Sequence, residues 1–268
     1  MNTERVDVSA LEDDGITWTL LGTLYLRAWE NRLPRPILGD HYAAAAVERI
    51  DYDFASLEKR LRPRGNQFLV ALRAKRLDEW SADFLARHPD ATVLQLGCGL
   101  DSRVLRLAPP AGVRWFDLDI PKVIEVRRRL FAEPAGYHLI GASVTDPDWL
   151  AGVPADRPVL VIAEGLFPYL PADELRRLLQ RLTDHFDTGE LIFDAVAPWV
   201  TLVTKPFVWG TRDAAEPARW NPRLRRLAAH PFATGHRRIP VASYRRLFGI
   251  MNATPGLRKT YVEYRFGF

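Results

Sequence analysis

Cysteine is nearly absent from this chain of 268 residues: Cys98 is the single one. That excludes an internal disulfide framework and leaves no cysteine cluster for a structural zinc, so no metal is expected and stability must come from packing. No stretch approaches the roughly 20 uninterrupted apolar residues of a membrane span, so no membrane partner is implied. The segment Met1 to Gly15 is acidic and polar without the apolar core of a signal peptide, which leads to the expectation of a cytoplasmic protein. Internal repeats and low-complexity linkers are lacking. The formal charge of +4 is small, and its arginines are spread in pairs such as Arg176-Arg177 and Arg245-Arg246 that read as solvated helix faces; no nucleic-acid partner follows. His138, His185, His230 and His236 lie in no recognisable motif and receive no catalytic role.

What is present is enough apolar residue, 47% of the chain, for one large α/β domain. The first part reads as helical: Ile16 to Asn31, Tyr42 to Ile50, and Asn66 to Arg87, with Leu69, Leu72, Trp80 and Phe84 near one side of the last. Residues 1–90 are therefore expected to form a helical lid region. From Thr92 short apolar strands alternate with helices: Thr92 to Leu96, Arg114 to Leu118, Tyr137 to Ile140, Val159 to Ala163 and Leu191 to Val196. Such alternation predicts βαβ units and a parallel sheet within a domain spanning 91–268. Before the fifth strand, Leu175, Leu178, Leu179, Leu182 and Phe186 recur at helical spacing. Residues 197–235 hold Trp199, Phe207, Trp209 and Trp220 without clear periodicity, and as a group suggest an apolar, aromatic substrate pocket. Arg258 to Phe268 alternates as a strand, expected to join the sheet antiparallel.

The most specific feature is the run from Val93 to Arg103, answered by Trp115-Phe116-Asp117-Leu118-Asp119. An apolar strand ends in Gly97 and Gly99, a helix follows, and the next strand ends in Asp119, about 20 residues downstream, the spacing at which an acid meets ribose hydroxyls. The two glycines remove Cβ atoms where backbone must turn sharply beside a ligand. The third glycine of the dinucleotide fingerprint is missing, and Ser102-Arg103 stands there instead, which favours a mononucleoside cofactor over NAD. Cys98, between the glycines, reads as a small residue of a tight turn rather than a nucleophile.

Four pieces in order, Ala71 to Asp78, Gly97 to Arg103, Asp117 to Ile124 and Glu164 to Leu170, resemble the leucine carboxyl methyltransferase family of class I S-adenosylmethionine-dependent methyltransferases, especially its bacterial branch acting on polyketides and other small molecules. The resemblance implies a Rossmann-like α/β fold with a mostly parallel seven-stranded sheet and helices on both faces. It implies S-adenosyl-L-methionine as cofactor and S-adenosyl-L-homocysteine as product. Arg73 matches the arginine near the methionine carboxylate, with Arg27 a weaker second candidate; Gly97, Cys98 and Gly99 would line the methionine moiety and Asp119 hold the ribose. Glu164 matches a glutamate beside the cofactor, and Tyr169 a tyrosine near the acceptor. One departure falls at the adenine position, where an aspartate-leucine pair is common and this chain has Ser143-Val144; a serine hydroxyl accepts more weakly, and Asp146 is an alternative from the next turn. The function implied is O-methylation of a carboxylate or phenolic hydroxyl on a small molecule such as a polyketide. A protein C-terminal carboxylate, an NAD-dependent oxidoreductase and a binding protein without turnover are the alternatives. Oligomeric state is not legible.

Overall fold

The computed structural model describes residues 5–9, 11, 17–211 and 213–268; Ile16 and most of the polar segment before it lie outside the described residues. In chain order the elements are β1 (Val6–Asp7), α1 (Thr17–Glu30), α2 (His41–Arg49), β2 (Ile50–Asp51), α3 (Phe54–Leu61), α4 (Pro63–Arg87), β3 (Thr92–Leu96), α5 (Arg103–Leu107), β4 (Arg114–Asp119) and α6 (Pro121–Leu130). There follow β5 (Tyr137–Gly141), β6 (Val159–Ala163), α7 (Ala172–His185), β7 (Gly189–Val196), α8 (Pro198–Val203), α9 (Glu216–Trp220), β8 (Arg225–Pro231), α10 (Ala242–Ala253), α11 (Pro255–Arg258) and β9 (Tyr261–Gly267). Local chemistry sets several helix starts. Asp40 accepts the Ala43 N–H at 2.9 Å and Asp53 the Ser56 N–H at 3.1 Å. Pro63 and Pro121 occupy first-turn positions where a missing N–H is no loss.

The seven-stranded sheet has the order β5-β4-β3-β6-β7-β9-β8, parallel through β7 and antiparallel for the last two strands. Alternate strand residues feed two cores, as the period of two requires. Leu94, Leu96, Val161 and Ala163 pack with Leu175, Leu178 and Leu182 of α7 on one face. Val93, Leu160, Ile162 and Ile192 meet Leu77, Trp80 and Phe84 of α4 on the other. Because β3 runs on to β4 on one side and its other neighbour is β6, the chain reverses direction across the sheet there, and that switch point opens a crevice at the strands' carboxyl ends.

The expected lid region divides. α4 belongs to the layer covering the sheet, whereas α1 to α3 share a core with α6, through Leu21, Leu24, Leu57, Val123 and Val126. The aromatic stretch 197–235 divides too: Trp209 and Trp220 pack against the core beneath α7, Trp199 is exposed, and β8 turns out to be a sheet strand within it. β8 shows no apolar alternation because it is an edge strand whose first residues are exposed and charged, with a register shift between Arg226 and Ala228. Among the described residues no helix is long and apolar enough to cross a membrane.

Candidate active site

The turn after β3 needs both glycines. Gly97 and Gly99 have φ of +59° and +51°, and a Cβ on Gly97 would stand 2.9 Å from Leu166 Cδ1. Asp119, ending the neighbouring strand, accepts the Gly99 N–H through Oδ2 and the Ile120 N–H through Oδ1, each at 2.8 Å. Burial raises its carboxyl above the usual range against the pull of those two donors. The turn is also held from behind. Buried Asp117 takes Trp115 Nε1 at 2.8 Å, the Tyr137 hydroxyl at 2.6 Å and the Arg127 guanidinium, and Arg127 in turn donates to the carbonyls of Gly99 and Asp101 at 3.1 and 2.6 Å. Cys98 is buried, and burial pushes its thiol well up, which disfavours the thiolate that a nucleophile needs.

A second layer consists of buried ions. Glu164, past the end of β6, receives Arg73 Nε at 3.0 Å on one oxygen and Arg103 on the other. Arg103, fully enclosed, also meets Asp78 at 2.7 Å and Asp101 at 3.0 Å. Arg106 continues to Asp78, Asp101 and Asp40, and Arg27 closes the series on Asp40 at 3.2 Å while donating to the Leu100 carbonyl at 2.8 Å. Burial alone would raise the Glu164 and Asp101 carboxyls; the guanidiniums around them overcome it and hold both below the usual range. These groups come from the N-terminal helices, α4, α5 and the strand ends, so the N-terminal helices and the sheet are joined through paired charge.

Above both layers lies a cavity of about 490 Å³. All ten expected residues, Arg27, Arg73, Gly97, Cys98, Gly99, Asp119, Ser143, Val144, Glu164 and Tyr169, line it. Ser143 Oγ is 2.8 Å from Thr145 Oγ1, and Asp146 caps the Asp148 N–H at 2.9 Å and does not line the cavity. At the far end Phe207 meets Tyr169 edge to face, with ring centres 5.0 Å apart, and Tyr261 lies beneath Arg73, its ring centre 5.8 Å from the guanidinium carbon. Of the aromatic stretch, Phe207 is the ring that reaches the cavity.

Reasoning from sequence missed Gln95, Asp101, Arg103, Asp194 and Tyr261. Asp101 and Arg103 lay within a quoted motif. Asp194 carried a signal, a carboxylate inside the apolar strand Leu191 to Val196, since a buried charge requires a partner; here its Oδ1 accepts the Gly165 N–H at 2.5 Å and its Oδ2 lies 3.6 Å from Arg73 Nη1. Tyr261 carried none.

Residues 20–183 match the leucine carboxyl methyltransferase family. TcmP of Streptomyces glaucescens, named a tetracenomycin polyketide synthesis O-methyltransferase, is 50% identical over 191 residues, 71% of this chain and 70% of that protein. The S-adenosyl-L-methionine-dependent methyltransferase dpfgK of Gibberella zeae is 41% identical over 211 residues, 73% of this chain and 71% of that one. A crystal structure from Thermobifida fusca, described as a methyltransferase, superposes with a TM-score of 0.61 at 17% identity, covering 84% of this chain and 92% of that one, which is a likeness of fold. With the glycine turn, the strand-end acid and the matching residues in one cavity, the chain belongs to the leucine carboxyl methyltransferase family and is an S-adenosylmethionine-dependent methyltransferase.

Proposed function

We propose that the chain works in the cytoplasm as an O-methyltransferase and that its acceptor is a carboxylate on a small aromatic molecule of the polyketide type. The observation that carries this reading is the make-up of the cavity wall, in which each carboxylate is already paired. Among the described residues lining it there is no histidine and no lysine. Glu164 is held below the usual carboxylate range by two guanidiniums, and burial pushes the Tyr169 and Tyr261 phenols up. Asp119 is engaged by two backbone donors. A phenol with a pKa near 10 would need a base, whereas a carboxylate arrives ionised. The polyketide O-methyltransferase at 50% identity supports the acceptor class.

The wall suits the cofactor. Asp119 keeps acceptor capacity beyond its two N–H bonds for a ribose diol. Gln95 Oε1 is buried without a hydrogen-bond partner, an acceptor available to an ammonium. Arg73 has guanidinium N–H groups besides the Nε given to Glu164, suited to a methionine carboxylate. Gly97, Cys98 and Gly99 would flank the methionine arm, Ser143 and Val144 the adenine, and Tyr169 the acceptor, while Arg27 would act mainly by tying α1 to Asp40. When bound, S-adenosylmethionine supplies a methyl group on a sulfonium, already activated for in-line displacement, so the residues here position the partners rather than move protons.

The test uses methyl-labelled S-adenosylmethionine with 3-hydroxy-2-naphthoate, which offers a carboxylate and a phenol on one aromatic frame. The expected product is the ester, formed at a rate flat from pH 6 to about 9. A methyl ether formed faster as pH rises would sink the carboxylate reading.

A further inference from the structure

We propose that Tyr261, brought in by the C-terminal strand, joins Tyr169 in a two-hydroxyl subsite that receives the acceptor carboxylate; this deepens the reading above and rests on it. The register is what delivers the residue. β9 runs antiparallel to β7 and pairs Tyr261, its first residue, with Val196, the last of β7, so the phenol reaches the carboxyl end of the parallel strands although it lies far along the chain. Its ring packs edge to face on Phe232, with centres 6.2 Å apart, and it lines the same cavity as Tyr169 and Phe207.

An incoming anion needs hydrogen-bond donors. Of the two guanidiniums of the cavity wall, Arg27 is paired with Asp40, and Arg73 gives its Nε to Glu164 at 3.0 Å with Nη1 3.6 Å from Asp194. Arg73 is moreover the residue suited to the cofactor's own carboxylate. At the acceptor end, the phenols of Tyr169 and Tyr261 supply neutral donors, and burial keeps both protonated well past neutral pH. Neutral donors hold a carboxylate in place without binding it so tightly as a cation that its lone pair is withdrawn from the methyl group. Phe207, edge-on to Tyr169, offers an apolar wall for the acceptor's ring.

The experiment compares the native chain with Tyr261→Phe, each saturated with S-adenosylhomocysteine and titrated with 3-hydroxy-2-naphthoate or its methyl ester. Loss of one donor to a charged group predicts a Kd for the carboxylate raised about tenfold. The Kd for the ester, the Kd for S-adenosylhomocysteine and the thermal midpoint should stay at native values. A carboxylate Kd unchanged within twofold overturns the inference while leaving the carboxylate reading intact. A parallel weakening of ester and cofactor binding also overturns it, since that is what loss of packing would produce. Tyr261→His, which keeps a donor on the ring, should recover part of the carboxylate affinity. A native complex that binds S-adenosylhomocysteine but neither naphthoate removes the reading beneath.

Discussion

Asp119 Oδ2 accepts the Gly99 N–H at 2.8 Å, so the acid that ends one strand pins the glycine turn that ends its neighbour. The two halves of the nucleoside motif are thereby one hydrogen-bonded unit before any ligand arrives. Replacing Asp119 with alanine removes both the proposed ribose acceptor and this clamp. We expect calorimetry to show S-adenosylhomocysteine affinity falling by about tenfold to a hundredfold, the range of one hydrogen bond to a charged group. NAD should bind neither chain; retention of native affinity by Asp119→Ala would remove Asp119 from the cofactor site.

Arg103 touches Asp78, Asp101 and Glu164 with its side chain fully enclosed. Arg103→Met keeps most of the volume but leaves each of three buried carboxylates with one guanidinium where it had two: Arg106 for Asp78 and Asp101, and Arg73 for Glu164. Removing one partner of a buried pair costs about 3–5 kcal/mol. For a chain of this size that corresponds to a fall in Tm of roughly 6–20 °C, read by circular dichroism. A fall below about 2 °C would mean that the pairing contributes specificity and little stability.

Gly97 and Gly99 make a matched pair of probes. Alanine at either position adopts a left-handed backbone, at about 1–2 kcal/mol. At Gly97 the new Cβ also meets Leu166 Cδ1 at 2.9 Å, whereas at Gly99 the nearest atom is Leu20 Cδ1 at 3.7 Å. Both variants should lose similar thermal stability, but Gly97→Ala should weaken S-adenosylhomocysteine binding more, because Leu166 lines the cavity and must shift. Equal losses of affinity would show that the turn's conformation alone matters.

His230 is pushed down to about 4 by burial and by Arg76 and Arg238 beside it. Arg76 Nη2 stands 2.9 Å from its Nε2, which fixes that nitrogen as an acceptor and the ring as neutral. The unfolded chain, with an ordinary value near 6.5, binds the proton first, so this contribution is complete above pH ~6.5 and is lost as pH falls toward 4. Buried Glu263, 3.4 Å from Nδ1, has the opposite sign: burial raises its carboxyl well above the usual range, so the native state binds that proton first and gains stability on acidification. Tm measured from pH 4.5 to 8 should decline less steeply in His230→Gln than in the native chain, and more steeply in Glu263→Gln. Unchanged slopes would place the pH dependence elsewhere.

Much of this site was legible because βαβ units put ligands at the carboxyl ends of consecutive strands. Gly97, Asp119, Ser143 and Glu164 each follow or end such a strand, so locating the strands located the residues. The tail strand was legible from its alternation. β8 was not, since an exposed, charged edge strand carries no apolar period, and α3 was not, because a helix of 8 residues with two buried positions leaves a weak pattern. Phe207 could be named only as one of a group of aromatics, as composition does not say which ring reaches a cavity and which packs beneath a helix.

By itself the sequence determined what depends on neighbours along the chain: the glycine turn, the acid closing the next strand and the order of βα units. Only the tertiary structure decided which charges pair, because Arg73 and Glu164 are 91 residues apart, Arg106 and Asp40 are 66 apart, and no local pattern encodes an encounter over such spans. It also decided that Tyr261 lines the cavity, since that depends on the register of β9 against β7, which the sheet sets only once its parallel strands are assembled.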